Sequence, residues 1–244
     1  MNVTYIDHMG NDNSVVDSAR VSFAKQAKNY TDEENTKLIQ YLAKHKHEIP
    51  FAHTAITVRV EAPISIRTQC FKHKIGFVEN ECSRRYIKTT PKVFVPTFRT
   101  APSKSMKQGS GEEITIVEPY SFDFIDGKKI KTEYSSYTQE DIQSMYRNVC
   151  NKAIDMYNLM VKPVNEGGLG IAPEQVRFVL PQGTMTEWIW TGSLLAFARF
   201  YKLRTDKHAQ KEIRNLAYMV EDVIAPLYPI SWKALTNQSE KTND

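Results

Sequence analysis

The sequence predicts a mixed α/β fold, and three observations predict it. Thr54–Val60 alternates Ile56, Val58 and Val60 with polar neighbours, the period-2 pattern of a half-buried strand. Thr31 with Glu34, and Thr138 with Asp141, set capping residues at the heads of segments with helical apolar spacing. A mostly helical C-terminal half follows the glycines at 167, 168 and 170. Hydrophobic residues make up 41% and charged residues 25%, which supplies a core and excludes a disordered or collagen-like chain.

The elements follow in order. Val3–Ile6 is short and β-prone. Asp12–Phe23 reads as a helix, with Val16, Ala19 and Phe23 at helical spacing. The helix capped by Thr31 carries Leu38, Tyr41 and Leu42 and fades in KHKHEIP before Pro50. After the Thr54–Val60 strand, Pro63 suits the first position of a helix reaching about His73, because its missing N–H costs nothing there. Tyr86–Ile87 and Val93–Val95 read as strand pieces. Arg99–Tyr137 reads as an insertion: a loop in SKSMKQGSGEE, then a hairpin about Asp126-Gly127. The helix capped by Thr138 carries Ile142, Met145, Val149, Ala153, Met156 and Met160. Pro173 opens a short helix to about Leu180. Thr186–Lys202 and Asp206–Ile224 read as helices, and Asn237–Asp244 as a polar tail.

Charge and cysteine usage narrow the function classes. A net charge of +4 does not announce a nucleic-acid binder, so any anion site must come from local clustering. Three cysteines, Cys70, Cys82 and Cys150, make neither a paired disulfide set nor a metal spacing. Free thiols suit a reducing cytosol, and a cytoplasmic location is expected. No secretory signal and no membrane-spanning apolar run is read in the sequence. His45, His47 and His53 lie close in sequence but lack an HExxH or cysteine partner, so no metal is expected.

The densest polar cluster runs Gln69-Cys-Phe-Lys72-His73-Lys74, then Glu79-Asn-Glu81-Cys82-Ser83-Arg84-Arg85-Tyr86. On a helix, Gln69, Lys72 and His73 share one face, offering an amide, an ammonium and an imidazole to an anionic or heterocyclic ligand. For the Lys72-His73-Lys74 triplet alone, a solvated basic face is the commoner explanation, since charge runs are usually exposed. Arg84 and Arg85 suit bidentate phosphate contacts. Ser83 lacks the adjacent base a nucleophile needs, so ligand binding is its expected role. Arg177, in the apolar EQVRFVLP stretch, needs a partner or a ligand, and Glu174 is the structural candidate. Arg204 sits at a junction between two helices, with His208 and Gln210 nearby. No GxGxxG or GxxxxGK[ST] loop is present, so a nucleotide would be held by side-chain cations and helix ends.

From Lys72 to Tyr86 the chain resembles the flavin-dependent thymidylate synthases, the ThyX family. Their signature is R-H-R, seven residues, then Ser, in a context like N-E-x-S-x-R-Y. Here Lys72-His73-Lys74 is followed by IGFVENEC and Ser83-Arg84-Arg85-Tyr86. MGND (Met9–Asp12), SARVSF (Ser18–Phe23), HEIPFAH (His47–His53), RFVLP (Arg177–Pro181) and LRTDKHAQKEI (Leu203–Ile213) resemble family segments in family order. The resemblance implies an α/β fold of the α+β type, a central mainly antiparallel sheet flanked by helices, in a single domain over 1–236 that carries the insertion. It implies reductive methylation of dUMP to dTMP, with methylenetetrahydrofolate as carbon donor and FAD, reduced by NADPH, as hydride source. It implies a homotetramer with sites shared between chains, and neither a nucleic-acid nor a membrane partner.

The same resemblance assigns residues. Ser22, His47, Lys72, His73, Lys74, Glu81, Ser193 and Arg199 stand at FAD-binding positions. Gln69, Lys72, Glu81, Cys82, Ser83, Arg84, Arg85, Arg177 and Arg204 stand at dUMP-binding positions. Arg204 matches the catalytic arginine that favours ionisation of uracil at N3, as a fixed cation beside a developing anion would. The chain departs from the pattern at several of these places. Lys72 and Lys74 replace arginines, keeping charge without the planar fork. The spacer to Ser83 is eight residues, not seven. Ala52 replaces an acid, Ser193 and Leu195 replace an asparagine–arginine pair, and Arg199 replaces an asparagine. Two other readings stand beside the enzyme: a module gripping nucleic-acid phosphates through its KHK and SRR runs, and an inactive member of the same fold. The mild net charge and the acids inside the cluster speak against the first.

Overall fold

A computed structural model of the chain describes residues 1–87, 89–102, 109–126 and 128–237. Gly127, most of the expected 103–113 loop and the tail from 238 lie outside the described residues. The chain forms two compact units, Met1–Cys82 with the chain from Met185 onward, and Ser83–Thr184. The first unit begins with β1 (Asn2–Met9), α1 (Asp12–Arg20), α2 (Asp32–Lys44), α3 (Ile49–Ala52), β2 (Ala55–Pro63), α4 (Ile64–Cys70) and β3 (Phe77–Glu81). The second holds β4 (Ile116–Val117), β5 (Tyr120–Ile125), β6 (Lys128–Glu133), β7 (Tyr137–Thr138), α5 (Gln139–Val161) and α6 (Pro173–Val176). The chain then rejoins the first unit with β8 (Met185–Gly192), α7 (Leu194–Arg204), α8 (Lys211–Ile224) and α9 (Pro229–Thr236).

The first unit is a four-stranded sheet of order β1-β2-β8-β3, antiparallel throughout, packed with helices as the resemblance implied. Alternation decides which side packs. Ile56, Val58, Val60 and Ala62 of β2 are fully buried, and so in effect are Trp188 and Trp190 of β8. Against this face lie Leu194, Phe197 and Phe200 of α7 and Ile213, Leu216, Val220 and Ile224 of α8. The Phe77 ring stacks on Trp190 at 4.4 Å between centroids. That stacking needs Gly192, since a Cβ there would lie 2.5 Å from the Phe77 ring.

The local cap signals act as read. Thr31 Oγ1 accepts from Glu34 N, and Glu34 Oε2 accepts from Thr31 N at 2.9 Å. Thr138 and Asp141 repeat the arrangement at the head of α5. In the second unit, β5 and β6 form the expected hairpin, with Asp126 at φ 49 beside the turn. One side of α5 latches an extended segment. Gln143 Nε2 donates to Pro96 O at 3.0 Å, Tyr146 Oη to Phe94 O at 3.2 Å, and Gln139 exchanges two bonds with the Phe98 main chain.

Several expectations are corrected. Thr186–Gly192 is a strand, not the start of a helix: TEWIWTG alternates β-branched and aromatic residues, and the helix begins only after Ser193. Pro63 ends β2 and caps α4, which stops at Cys70, short of His73. Tyr86 lies in a turn, and Val93 makes only an isolated bridge to Thr184. The first α-helix stops at Arg20, and Val21–Phe23 tightens to a 3₁₀ turn. The helix expected from Asp206 starts at Lys211, because the Asp206 side chain accepts from His208 N at 2.7 Å and closes a turn. Finally, α5 buries Cys150, Ile154 and Tyr157, while Met145, Val149 and Met156 face solvent.

Candidate active site

Arg204, at the last turn of α7, is fixed by two bonds. Its Nε donates to His73 Nε2 at 2.9 Å and its Nη2 to the Gln69 carbonyl at 3.3 Å. An imidazole nitrogen that accepts from a guanidinium carries no proton, so His73 holds its proton on Nδ1. The His73 ring also meets Phe200 edge-on at 5.1 Å. Burial first, and the Arg204 charge second, push the His73 pKa from 6.5 down to about 4. The Lys72-His73-Lys74 run is therefore not three cations. His73 is neutral near pH 7, and Lys74 is paired with Glu79. Because α4 ends at Cys70, Gln69 and His73 meet through Arg204 rather than along one helix face.

This pairing has a measurable consequence. The unfolded imidazole binds a proton below about pH 6.5, whereas the folded one stays neutral to about 4, so stability falls as pH drops through that window. The His73 ring resonances should titrate well below 6.5, with the midpoint rising part-way in Arg204→Gln. An unshifted midpoint in the wild type would refute the contact.

A second cluster gathers at the end of β3. Thr186 Oγ1 donates to Glu81 Oε1 at 2.7 Å, and Arg67 Nε lies 3.1 Å from the same oxygen without aiming its N–H at it, an ion pair rather than a hydrogen bond. Cys82 Sγ lies 3.6 Å from Thr186 Oγ1. Glu81 is thus held as an oriented carboxylate beside a half-buried thiol. Cys70, by contrast, is buried, and burial pushes its thiol up to about 12, so it is not a nucleophile near neutral pH.

The flavin positions separate. Ser22 and His47 line one cleft of about 930 Å³, together with Ser18, Lys46, Glu48 and His53. Its hydroxyls, imidazoles and ammonium suit an anionic, ring-bearing group, and the two carboxylates that also line it, Asp17 and Glu48, are engaged by Ala27 N and by Arg199. Arg199 is ion-paired with Glu48, and Ser193 caps α7 by accepting from Ala196 N at 3.2 Å. Both side chains have structural partners already. Lys72 is exposed. Among the described residues no cluster of three metal-ligating side chains occurs.

In the second unit, Ser83 Oγ accepts from Arg85 N and Nε, both at 3.3 Å. Arg84 Nη1 donates to the Thr89 carbonyl at 2.5 Å. Arg177 is exposed, and its Nε donates to the Glu174 carbonyl at 3.1 Å, not to the Glu174 carboxylate. Its charge is not cancelled by the acid expected to pair with it.

Residues 4–230 match the family of the Thymidylate synthase complementing protein, Thy1. The chain belongs to the Thy1 family. Among its relatives are flavin-dependent thymidylate synthases from Thermosipho africanus, 30% identical over 94% of this chain and 88% of that protein, and Thermosipho melanesiensis, 31% identical over 94% and 87%. A solved UMP/dUMP methylase, PolB from Streptomyces cacaoi bound with 5-Br dUMP, superposes with a TM-score of 0.70 at 25% identity, covering 96% of this chain and 94% of that one. Membership of Thy1 agrees with the mixed fold and its antiparallel sheet. Sequence reasoning missed Arg67 and Thr186 in this Thy1 chain. Each makes its contact across long sequence separation or through a second side chain, so no local motif marks it. Among the described residues, no helix of this Thy1 chain is long and apolar enough to cross a membrane.

Proposed function

We propose that this chain is a flavin-dependent thymidylate synthase that reductively methylates dUMP to dTMP. The observation that carries this reading is Arg204, a guanidinium fixed by a neutral imidazole and by the main-chain carbonyl of Gln69. Arg204 stabilises negative charge developing on the uracil ring, which makes ring carbon 5 more electron-rich where the methylene attaches. Gln69 orients the base. Glu81, held by Thr186 and Arg67, and Cys82 are further dUMP contacts. Ser83, Arg84, Arg85 and Arg177 bind dUMP as well, the arginines through its phosphate. No serine nucleophile takes part: among the described residues no imidazole or carboxylate hydrogen-bonds Ser83 Oγ.

The cofactor in this reading is FAD, reduced by NADPH, with methylenetetrahydrofolate as carbon donor. Ser22 and His47 hold it in their cleft, with Lys72, His73, Lys74 and Glu81 supplying further contacts. When bound, the flavin supplies the hydride that turns the transferred carbon into a methyl group. A homotetramer with shared sites belongs to the same proposal, supported by the apolar Met145, Val149 and Met156 that α5 leaves outward. So does a cytoplasmic location, supported by three free thiols. The test is turnover with dUMP, methylenetetrahydrofolate, FAD and NADPH. Product formed without flavin would overturn the reading.

The phosphate contacts are separable from the rest. Arg84→Ala, Arg85→Ala and Arg177→Ala should each weaken dUMP binding by about 1.5–3 kcal/mol, the range for a lost charged hydrogen bond. At least one should leave deoxyuridine binding nearly unchanged. Calorimetric titration of both ligands checks this, and equal losses for both in all three variants would exclude a phosphate contact.

A further inference from the structure

A chain of three polar side chains ends at the Gln69 amide. Glu212 stands in the first turn of α8 and is only 6% exposed. Its Oε2 accepts from Gln210 Nε2 at 2.8 Å, and Gln210 Oε1 accepts from Gln69 Nε2 at 2.7 Å. The start of a helix favours the ionised form of a carboxylate, and an ionised carboxylate only accepts hydrogen bonds. Gln210 must therefore turn its NH₂ towards Glu212, which turns its oxygen towards Gln69. Gln69 must in turn direct its own NH₂ at Gln210, and its Oε1 is left as the atom facing away from the chain. A primary amide by itself has no reason to prefer either orientation, since its two ends have nearly the same shape.

We propose that Gln210 and Glu212 are positioning residues that set the Gln69 amide so that it offers a hydrogen-bond acceptor to the substrate base. This rests on the reading that Gln69 contacts dUMP. Arg204, bonded to the main-chain carbonyl of the same residue, supplies donors, so a base lying against both residues meets donors from Arg204 and an acceptor from the Gln69 side chain. Uracil carries its N3–H between two carbonyl oxygens and satisfies such a pair on either side of N3. Cytosine satisfies it on one side only, where its amino group replaces a carbonyl. Preference for the uracil base follows from the carboxylate at the far end of the chain, a residue that does not touch the ligand.

Moving the carboxylate by one link tests this. In Glu212→Gln the carboxylate that obliges Gln210 to donate is replaced by an amide, which can accept or donate, so Gln210 no longer has to turn its oxygen towards Gln69. In the exchange Gln210→Glu with Glu212→Gln, the carboxylate accepts from Gln69 directly, and Gln69 again shows its oxygen outward. Flavin-loaded wild type and both variants are titrated with dUMP and with dCMP, and their melting temperatures are compared. Glu212→Gln should raise the dUMP Kd about tenfold, the equivalent of one hydrogen bond, and narrow the dUMP-to-dCMP ratio. The exchange should restore both to within about threefold of wild type, converting by the same tenfold-per-hydrogen-bond scale. If the single variant keeps the wild-type Kd and ratio, or the exchange stays as weak as the single variant, the positioning role is wrong. A folded, flavin-loaded wild type that fails to bind dUMP would instead overturn the substrate reading, and this proposal with it.

Discussion

Arg204→Lys is expected to lower the turnover of saturating dUMP roughly a hundredfold, the scale of losing one preorganised donor at a developing anion, while flavin occupancy stays near normal. The substitution keeps the positive charge but cannot reproduce the Nε bond to His73 together with the Nη2 bond to the Gln69 carbonyl. Uracil is neutral when it binds and gains charge only on activation, so most of the loss should appear in kcat rather than in dUMP affinity. A purely structural Arg204 predicts the opposite, a lower melting temperature with normal turnover in the folded fraction. Single-turnover oxidation of pre-reduced enzyme by dUMP and methylenetetrahydrofolate separates the two. A variant that forms dTMP at the wild-type rate would remove Arg204 from the chemistry.

The largest stability effect is expected at the sheet. Trp190→Ala should destabilise the protein by about 3–5 kcal/mol, the usual cost of truncating a large buried aromatic. Trp190 is fully buried, stacks on Phe77 and meets Phe197 and Phe200 edge-on at 5.2 and 5.0 Å. These rings belong to β3, β8 and α7, so the cavity would open between a strand pair and the helix covering it. Urea unfolding gives the value, and a loss under about 1 kcal/mol would show that the neighbours collapse into the space. Trp190→Phe should recover most of the loss.

What was legible in the sequence was what depends on neighbours a few residues apart. The capping boxes of Thr31 and Thr138, the alternation of β2 and the β5–β6 hairpin are local, and each forms where its pattern lies. The central strand β8 was misread because its aromatic, β-branched run is joined directly to a strongly apolar helix, and the helical period was extended back across Ser193. On α5 the apolar residues were found but the wrong face was taken for the packed one. The residues that bury are Cys150, Ile154 and Tyr157, offset by one position from Val149, Ala153 and Met156. At the candidate site the residue types were visible and their states were not. The sequence offered His73 as an imidazole without its protonation state, which depends on Arg204, 131 residues away, donating to it. Arg177 looked in need of a carboxylate, yet it lies exposed and bonded to a carbonyl.

The pairing of β2 with β8 also sets a timetable for the newborn chain. Thr57 and Thr191, hydrogen-bonded across these strands at 3.0 Å, are 134 residues apart in sequence. As the chain leaves the ribosome, β1 and β2 emerge early but can form only a two-stranded ribbon, with Ile56, Val58 and Val60 still lacking their principal cover. The strand that joins β2 to β3 arrives only after Ser83–Thr184 has been made, and α7 and α8 come later still. Closing so long a loop is slow. During that interval the apolar strand is an aggregation hazard, and a chain stopped anywhere before Met185 should remain a client of chaperones.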